Sequence, residues 1–166
     1  MTFGRRVAGV LRLDGATFED IEADRSATGQ ALAVVLLATV AAGLGAGLAL
    51  GPWALVRGAL AAVIGWVMWA AVTFILGARL LPEPQTRTDM GELLRVIGFS
   101  YAPNLFAILV FVPVLGVAVQ VVVAFWLLAT MIVAVRQALD YRSTLRAVGV
   151  VIIGWLFFVL IQVLLS

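Results

Sequence analysis

Long intervals without a charged side chain divide the sequence and predict where it crosses a membrane. Residues 26–56 carry no charge, and the apolar stretch 30–50 within them reads as a first helix. Residues 58–78 and 147–166 form two further uncharged intervals. Each of these helices is close to the length of about 20 apolar residues that a membrane-spanning helix needs.

The interval 96–135 is longer and holds 40 uncharged residues. As one helix it would extend about 60 Å, which is twice the hydrocarbon thickness of a bilayer. We therefore predict a hairpin of two helices with its bend at Pro113 and Gly116. The other possible break, at Pro103 and Asn104, would instead give a short re-entrant segment and one long helix.

The distribution of arginine favours five spans over four. With five helices, ten of the eleven arginines share one side of the membrane and only Arg57 lies on the other. This is the asymmetry of the positive-inside rule. Four helices would move the loop 136–146, with three arginines, to the opposite side. We predict an all-α protein whose five-helix transmembrane bundle occupies residues 30–166, with a cytoplasmic N-terminus and an external C-terminus.

Residues 1–29 are predicted to form short amphipathic helices on the cytoplasmic membrane surface. Within residues 3–13, the apolar side chains Phe3 and Val10 lie near one helical face and the arginines lie elsewhere, a pattern typical of interfacial helices. A second helix is expected to follow Thr17 as its N-cap. Its acidic residues are expected to turn toward protein or the arginine-rich loops, or to form a solvated face. These acids are Glu19, Asp20, Glu22 and Asp24.

The composition agrees with a membrane protein and excludes several kinds of chemistry. The chain is 64% hydrophobic and 12% charged, with a mean hydropathy of +1.15, whereas soluble domains are about 25% charged. It has no cysteine, histidine or lysine, which excludes disulfides, zinc fingers, Ser-His-Asp triads and Schiff bases. We expect no cofactor, no metal and no catalytic residues. A net charge of +2 with scattered arginines argues against nucleic acid binding.

Small residues recur every four positions on the first helix and predict close helix packing. Gly43, Gly47 and Gly51 form this row, and Gly58 and Gly65 offer a matching face on the second helix. We expect these faces to let two backbones approach closely, within one chain or between chains.

Polar residues interrupt the third helix around a proline. Pro103 has no N–H group, so the carbonyl of Phe99 loses its helical partner. Nearby side chains are expected to satisfy the backbone there, as broken membrane helices require. The alternative is a polar pocket for a lipid headgroup or a partner helix. The residues of this predicted break are Gly98, Ser100, Tyr101, Pro103 and Asn104.

Charged residues at the ends of the third and fourth helices are predicted interfacial anchors. Asp89, followed three residues later by Glu92, predicts a capping box at the start of the third helix. Glu92 and Arg95 are spaced for an ion pair on that helix. Arg136 and Asp140, four residues apart, are spaced for a second pair near the end of the fourth.

The order of these features resembles the Yip domain family. The resemblance rests on DMGELLRVIGFSYAPNLFAIL, then VPVLG, then a helix ending in VRQALDYRSTLRAVG and a final apolar helix. The N-terminal RLDGATFEDIEAD before the first helix is similar to the short leader of bacterial members. The resemblance implies a five-helix integral membrane protein with a cytoplasmic N-terminus. Eukaryotic relatives act in vesicle traffic and bind small Rab GTPases and one another, whereas bacterial members look non-enzymatic, so the resemblance implies a non-enzymatic role.

The sequence thus predicts a non-catalytic scaffold or accessory subunit that binds partner membrane proteins or lipids, either as part of a larger complex or as a homo-oligomer. The alternative is a small oligomeric passive transporter or channel, in which the polar helix break would face water. Arginine-only basic residues with abundant alanine, valine, glycine and leucine indicate a GC-rich bacterial genome. The expected location is therefore the bacterial inner membrane.

Overall fold

The computed structural model describes residues 1–46, 51–112 and 114–164. Within these ranges the chain forms seven α-helices, two of which continue into helices of another type. Helix α4 continues as a π-helix over Phe74–Leu80, and α5 is followed by a 3₁₀-helix over Ala102–Phe111. The α-helices are α1 Phe3–Leu11, α2 Gly15–Ala23, α3 Ala27–Gly45, α4 Pro52–Thr73, α5 Met90–Ser100, α6 Gly116–Ala138 and α7 Thr144–Leu164.

Four helical segments are long and apolar enough to cross a membrane. They cover 19 to 28 residues each. Helix α7 is also apolar, but its part from Thr144 to Phe157 is shorter than these four. The integral membrane character predicted from the uncharged intervals is therefore confirmed. The four segments are Ala27–Gly45, Trp53–Leu80, Met90–Phe111 and Gly116–Ala138.

The long uncharged interval forms the predicted hairpin. The two helical segments on either side of its bend pack against each other: the Phe106 ring stacks on the Trp126 ring with centroids 5.4 Å apart, and the Thr130 hydroxyl donates to the Ser100 carbonyl. The predicted bend residue Pro113 lies outside the described residues. The short re-entrant segment, which was the alternative, does not form.

The predicted break at Pro103 changes the type of helix without ending the span. Helix α5 ends at Ser100, and the next ten residues wind as a 3₁₀-helix with Pro103 in its first turn. The Asn104 amide donates to the carbonyl of Tyr101 at 2.9 Å, which is the tighter i to i+3 pattern. Proline is tolerated at this position because it has no amide hydrogen to pair.

Tyr141 holds the π-helical end of the second span. Its hydroxyl oxygen lies 2.9 Å from the carbonyl oxygen of Gly77 and 2.7 Å from that of Leu81. The Leu139 side chain packs directly over Gly77, where a Cβ atom would collide with it. The turn between α6 and α7 is thereby fixed to the end of the second span.

The sequence pattern predicted that the arginines of the first helix lie away from its apolar face, and this prediction is wrong for Arg6. Arg6 is 1% exposed and lies on the same face of α1 as the buried Val10, four residues later. Its guanidinium donates to Asp20 at 2.8 Å, to Asp24 at 2.6 Å and to Gln30 at 3.0 Å. An ordinarily costly buried charge is stable here because every side of the guanidinium has a partner.

Helix α2 begins earlier than predicted. Asp14, not Thr17, is its N-cap, and the Asp14 carboxylate accepts from the Ala16 amide at 3.3 Å. Thr17 is buried and its hydroxyl donates to the other Asp14 oxygen at 2.6 Å. Thr17 also packs against Gly9 of α1, at a position where a Cβ atom would not fit. The two helices therefore form a tight hairpin.

We expect Arg6→Met to destabilise the folded protein by about 1–3 kcal/mol, because it leaves two carboxylates and an amide without their shared donor. Arg5→Met is the matched control, since Arg5 is the neighbouring residue and is exposed. Thermal unfolding in detergent micelles measures both variants. Equal melting temperatures for the two variants would show that the buried network does not stabilise the fold.

Candidate functional site

Three glycines of the predicted row do not pack closely within the chain. A Cβ atom at Gly51 or Gly65 would meet open space, and one at Gly58 would only touch Thr39 at 3.8 Å. Gly45 instead lies against the carbonyl of Ala107. Gly47 lies outside the described residues. Gly43 is half-buried.

Gly98 is a second point of close approach, at the predicted helix break. A Cβ atom there would lie 2.7 Å from that of Ala31 on α3 and 3.2 Å from the Trp66 ring. The Trp66 indole in turn donates to the Leu94 carbonyl at 2.9 Å. Gly98 therefore brings α3, α4 and α5 together, and α3 is packed against both halves of the third span.

The polar residues of the helix break satisfy backbone carbonyls. Ser100 is fully buried and its hydroxyl lies 2.7 Å from the carbonyl of Ile97. The carbonyl of Ser100 accepts from the hydroxyl of Thr130 on α6 at 2.8 Å. Thr130 is also fully buried. The break is therefore closed by a threonine that the sequence pattern did not single out for this role.

The remaining residues of the break face different surroundings. Pro103 is buried and Asn104 is half-buried. Tyr101 lines an apolar cavity of about 540 Å³ between α4, α6 and α7, together with Trp69 and Trp155. The residues of the predicted break thus do not line one common polar pocket.

We expect Thr130→Val to lower the stability of the protein by about 0.6–1.7 kcal/mol, the range for hydrogen bonds between membrane helices. Thr39→Val is the matched control, because the Thr39 hydroxyl donates only to Val35 of its own helix, at 2.8 Å. The measurement is unfolding in a denaturing detergent titration. A larger loss for Thr39→Val than for Thr130→Val would contradict the role of Thr130.

Three polar segments meet at one end of the bundle, and we call them the polar cap. They are residues 1–26, residues 81–89 and residues 139–143. The Thr86 hydroxyl donates to the Leu139 carbonyl at 2.8 Å, which joins the second segment to the third. The segments are distant in sequence, so the cap is a product of the tertiary fold.

Further contacts tie the cap to the helices. Gln85 donates to the Asp140 carbonyl at 3.0 Å, and Glu83 lies 3.6 Å from the guanidinium of Arg146 on α7. Gln137 at the end of α6 donates to Glu19 of α2 at 3.2 Å. All three segments of the cap are thereby held against the ends of α6 and α7.

The predicted interfacial ion pairs are replaced by contacts to the backbone. The capping box of Asp89 and Glu92 is confirmed, with both of its hydrogen bonds at 2.8 Å. Because Glu92 caps its own helix, it does not bind Arg95. Arg95 is 5% exposed and its guanidinium donates to the carbonyl of Glu22 at the end of α2.

The second predicted pair is also separated. Arg136 donates to the carbonyl of Tyr141 at 3.3 Å. Asp140 adopts a left-handed conformation with φ 52°, and its carboxylate accepts from the Arg87 amide at 3.3 Å. Asp140 therefore lies beyond the end of α6, where helical spacing no longer relates it to Arg136.

A polar cleft of about 700 Å³ opens within the cap. It lies between α2, the start of α5 and the turn from α6 to α7. Four carboxylates and two arginines line it. They are Glu19, Glu22, Glu92, Asp140, Arg136 and Arg142.

Glu22 has the most perturbed carboxyl group of the cleft. Its burial raises its pKa from the ordinary 4.5 to about 7, and the negative charges of Glu92, Asp140 and Glu19 add to the effect. Arg95 opposes this rise, although its guanidinium hydrogen bonds go to the backbone of Glu22. Glu22 is therefore the group of the cap whose charge changes near neutral pH.

We expect the stability of the folded protein to fall as the pH rises from about 4.5 to about 7. The pKa of Glu22 is raised by folding, so its protonated form favours the folded state and ionisation disfavours it. Glu22→Gln should remove this loss and be more stable than the parent above about pH 8. Melting temperatures measured across this pH range test the expectation.

Glu19→Gln is the control for that experiment. It removes a neighbouring negative charge from the same helix, so the loss of stability should remain and move to slightly lower pH. If Glu19→Gln instead abolishes the loss while Glu22→Gln keeps it, the assignment to Glu22 is wrong.

In the part of the chain that the structure describes, no group of three or more acidic side chains is arranged to hold a metal ion. The cleft offers carboxylates, guanidinium groups and amides. These groups are suited to recognising a polar or charged surface.

The molecule has apolar helices long enough to span a membrane and a polar cap at one end of the bundle. It is therefore an integral membrane protein. The chain belongs to the Yip1 domain family, whose model matches residues 8–165. The family predicted from the sequence is therefore confirmed over nearly the whole chain. Neither the comparison with curated proteins nor that with solved structures gives a match.

Sequence reasoning missed the residues that join distant segments. Arg6, Thr130 and Tyr141 each bind a partner at least 14 residues away. One signal was present for Arg6, because it is spaced four residues from Val10 and faces acids that themselves need a cation. Nothing in the local sequence distinguishes Tyr141 from an exposed loop tyrosine.

Proposed function

We propose that the protein crosses the membrane five times, with α7 as the fifth span. Helix α7 covers 21 residues from Thr144 to Leu164, or about 31 Å, which matches the hydrocarbon thickness. The cap supports this count, because it joins the N-terminal segment, the connection between the second and third spans and the turn before α7. Those are the connections that share one side in a five-span protein.

The charge distribution supports a cytoplasmic position for the cap. Arg57, near the start of α4, is the arginine placed at the opposite end of the bundle, while the other ten belong to the cap segments or to the helix ends beside them. By the positive-inside rule the cap faces the cytoplasm and the C-terminus lies outside. A bacterial inner membrane fits this arrangement. The helices α1 and α2 then lie at the cytoplasmic surface as short amphipathic elements.

Within this topology, the protein acts as a non-catalytic scaffold or accessory subunit that binds a partner membrane protein through the cap. The observation that carries this proposal is the preformed polar cleft between α2, α5 and the α6–α7 turn. Its walls are held by hydrogen bonds from distant segments, such as Thr86 to Leu139. A surface that is already ordered loses little entropy when it binds a partner.

A passive transporter is supported less well by the polar helix break. A hydrated path needs polar groups that face water, whereas Ser100 and Thr130 are both 0% exposed and their hydroxyls bind backbone carbonyls. The Thr130 hydroxyl forms a hydrogen bond between helices, and the Ser100 hydroxyl forms one within α5. The scaffold is therefore the function that the geometry favours.

Native mass spectrometry of the protein, extracted gently from its own host membrane, tests the scaffold proposal. We expect a stoichiometric partner subunit or a homo-oligomer in the parent. Ala23→Trp places a bulky side chain at the exposed rim of the cleft and should release the partner while the fold remains intact. Ala16→Trp is the matched control, since Ala16 is exposed on the same helix and outside the cleft.

Two outcomes would overturn the proposal. One is a parent protein that is recovered as a monomer with lipid alone. The other is partner release by Ala16→Trp with retention in Ala23→Trp, which would move the contact away from the cleft.

A further inference from the structure

The apolar cavity of about 540 Å³ lies at the middle depth of the candidate spans. Leu127 lines it from α6 and is eleven residues, or about 16 Å, from each end of that helix. Tyr101 lines it from the third span, eleven residues after Met90 and ten before Phe111. Because the hydrocarbon core of a bilayer is about 30 Å thick, the cavity is at a level where neither water nor lipid headgroups occur.

The cavity is open to the surrounding lipid and has room for a ligand. Leu128 of α6 and Ile152 of α7 line it and are both exposed, so a molecule dissolved in the bilayer can enter between these helices. A Cβ atom added at Gly65, on the α4 wall, would meet open space. The volume is within the range of about 300–1,000 Å³ that is typical of small-molecule sites.

Tyr101 places a hydroxyl group among these apolar walls. Among the residues that the structure describes, none forms a hydrogen bond with that hydroxyl. A tyrosine hydroxyl away from water usually has a partner, because an unsatisfied polar group is costly in hydrocarbon. The nearby Thr130 hydroxyl meets this requirement by donating to the Ser100 carbonyl. The Tyr101 hydroxyl therefore points to a ligand that carries a hydrogen-bond acceptor.

The depth of this hydroxyl restricts the chemistry of the ligand. The polar groups of a phospholipid lie in the interfacial region, about 15 Å from the middle of the bilayer. An acyl chain in the cavity would therefore bring no oxygen to Tyr101. A charged molecule is excluded by the cost of placing a charge at the bilayer centre. The acceptor must belong to an uncharged, lipid-soluble molecule.

The other walls of the cavity favour a ring over a flexible chain. Two indole rings, those of Trp69 and Trp155, line it together with the Tyr101 phenol and the Met131 thioether. Aromatic side chains and methionine sulfur both make favourable contacts with a further ring. A ring that bears a carbonyl oxygen would satisfy these walls and the Tyr101 hydroxyl at the same time.

We propose that the apolar cavity binds a lipid-soluble quinone, whose ring lies beside the indole rings and whose carbonyl oxygen accepts a hydrogen bond from the Tyr101 hydroxyl. The apolar tail of the quinone leaves the cavity between α6 and α7 and enters the bilayer. This site shares no residue with the polar cleft, and it does not depend on partner binding there.

Thermal unfolding in detergent micelles tests the site with two probes that share a ten-carbon tail. Decylubiquinone has a ring with carbonyl oxygens, whereas decylbenzene has a ring without oxygen. A ligand that binds the folded state raises the melting temperature as its concentration increases. We expect a rise with decylubiquinone in the parent protein, and its absence would overturn the proposal.

Tyr101→Phe tests the hydrogen bond, because it removes only the hydroxyl. The variant should bind decylubiquinone about fivefold more weakly than the parent, which is the effect of one hydrogen bond. Its binding of decylbenzene should be unchanged. Equal binding of decylubiquinone by parent and variant, as expected for a cavity that takes acyl chains, would overturn the proposal. An equal loss for both probes would assign the effect to packing and would also overturn it.

Gly65→Leu tests the location, because the added side chain fills the cavity and should abolish the effect of decylubiquinone. Gly149→Leu is the matched control. Gly149 is likewise a half-buried helical glycine with open space at its Cβ position, and it lies outside the cavity lining. Unchanged quinone binding in Gly65→Leu would show that the ligand does not occupy this cavity. Melting temperatures without ligand verify that the variants are folded.

Discussion

The need to satisfy backbone carbonyls in apolar surroundings underlies most of the polar contacts of this protein. In a membrane no water is present to accept or donate hydrogen bonds, so each carbonyl released from a regular helix requires a donor within the protein. Thr130 supplies one for Ser100, and Tyr141 supplies one at the π-helical end of the second span. The Trp66 indole on α4 also donates to a carbonyl, that of Leu94 within α5.

The same type of contact attaches the polar cap to the bundle. Arg95 binds the last turn of α2, Trp126 binds the end of α1, and Thr86 binds the end of α6. In each case a side chain donates to a main-chain carbonyl of a segment distant in sequence. Cap and bundle are consequently joined through main-chain carbonyls, so changes of cap side chains other than Thr86 leave these three contacts intact.

The spans could be predicted from the sequence because hydropathy acts over windows of about 20 residues and needs no knowledge of the fold. The hairpin between Phe111 and Gly116 and the capping box at Asp89 are also local signals. The predicted ion pairs do not form. Helical spacing predicted a pair between Glu92 and Arg95, but Glu92 caps its own helix and Arg95 binds the backbone of Glu22.

The candidate site was less predictable, because its cleft is lined by segments that are distant in sequence and meet only in the folded protein. Glu22 read as one acid among four in a short helix, and only the fold places it near Glu92 and Asp140. Three glycines of the predicted row, Gly51, Gly58 and Gly65, have no close neighbour within the chain. Spacing identified which glycines share a face, whereas Gly45 and Gly98 matter because a neighbouring backbone or ring lies against them.

The 3₁₀-helix over Ala102–Phe111 has a mechanical consequence. Side chains three residues apart align in straight columns along its axis, and Asn104, Ala107 and Val110 form the half-buried column while Phe106 and Leu109 form an exposed one. The contact stripe of an α-helix winds around its axis, so sliding it lengthwise also requires rotation. A straight column lacks this coupling. This coupling is therefore absent from the 3₁₀ half of the third span, whereas the α-helical half, α5, retains it and keeps Gly98 against Ala31.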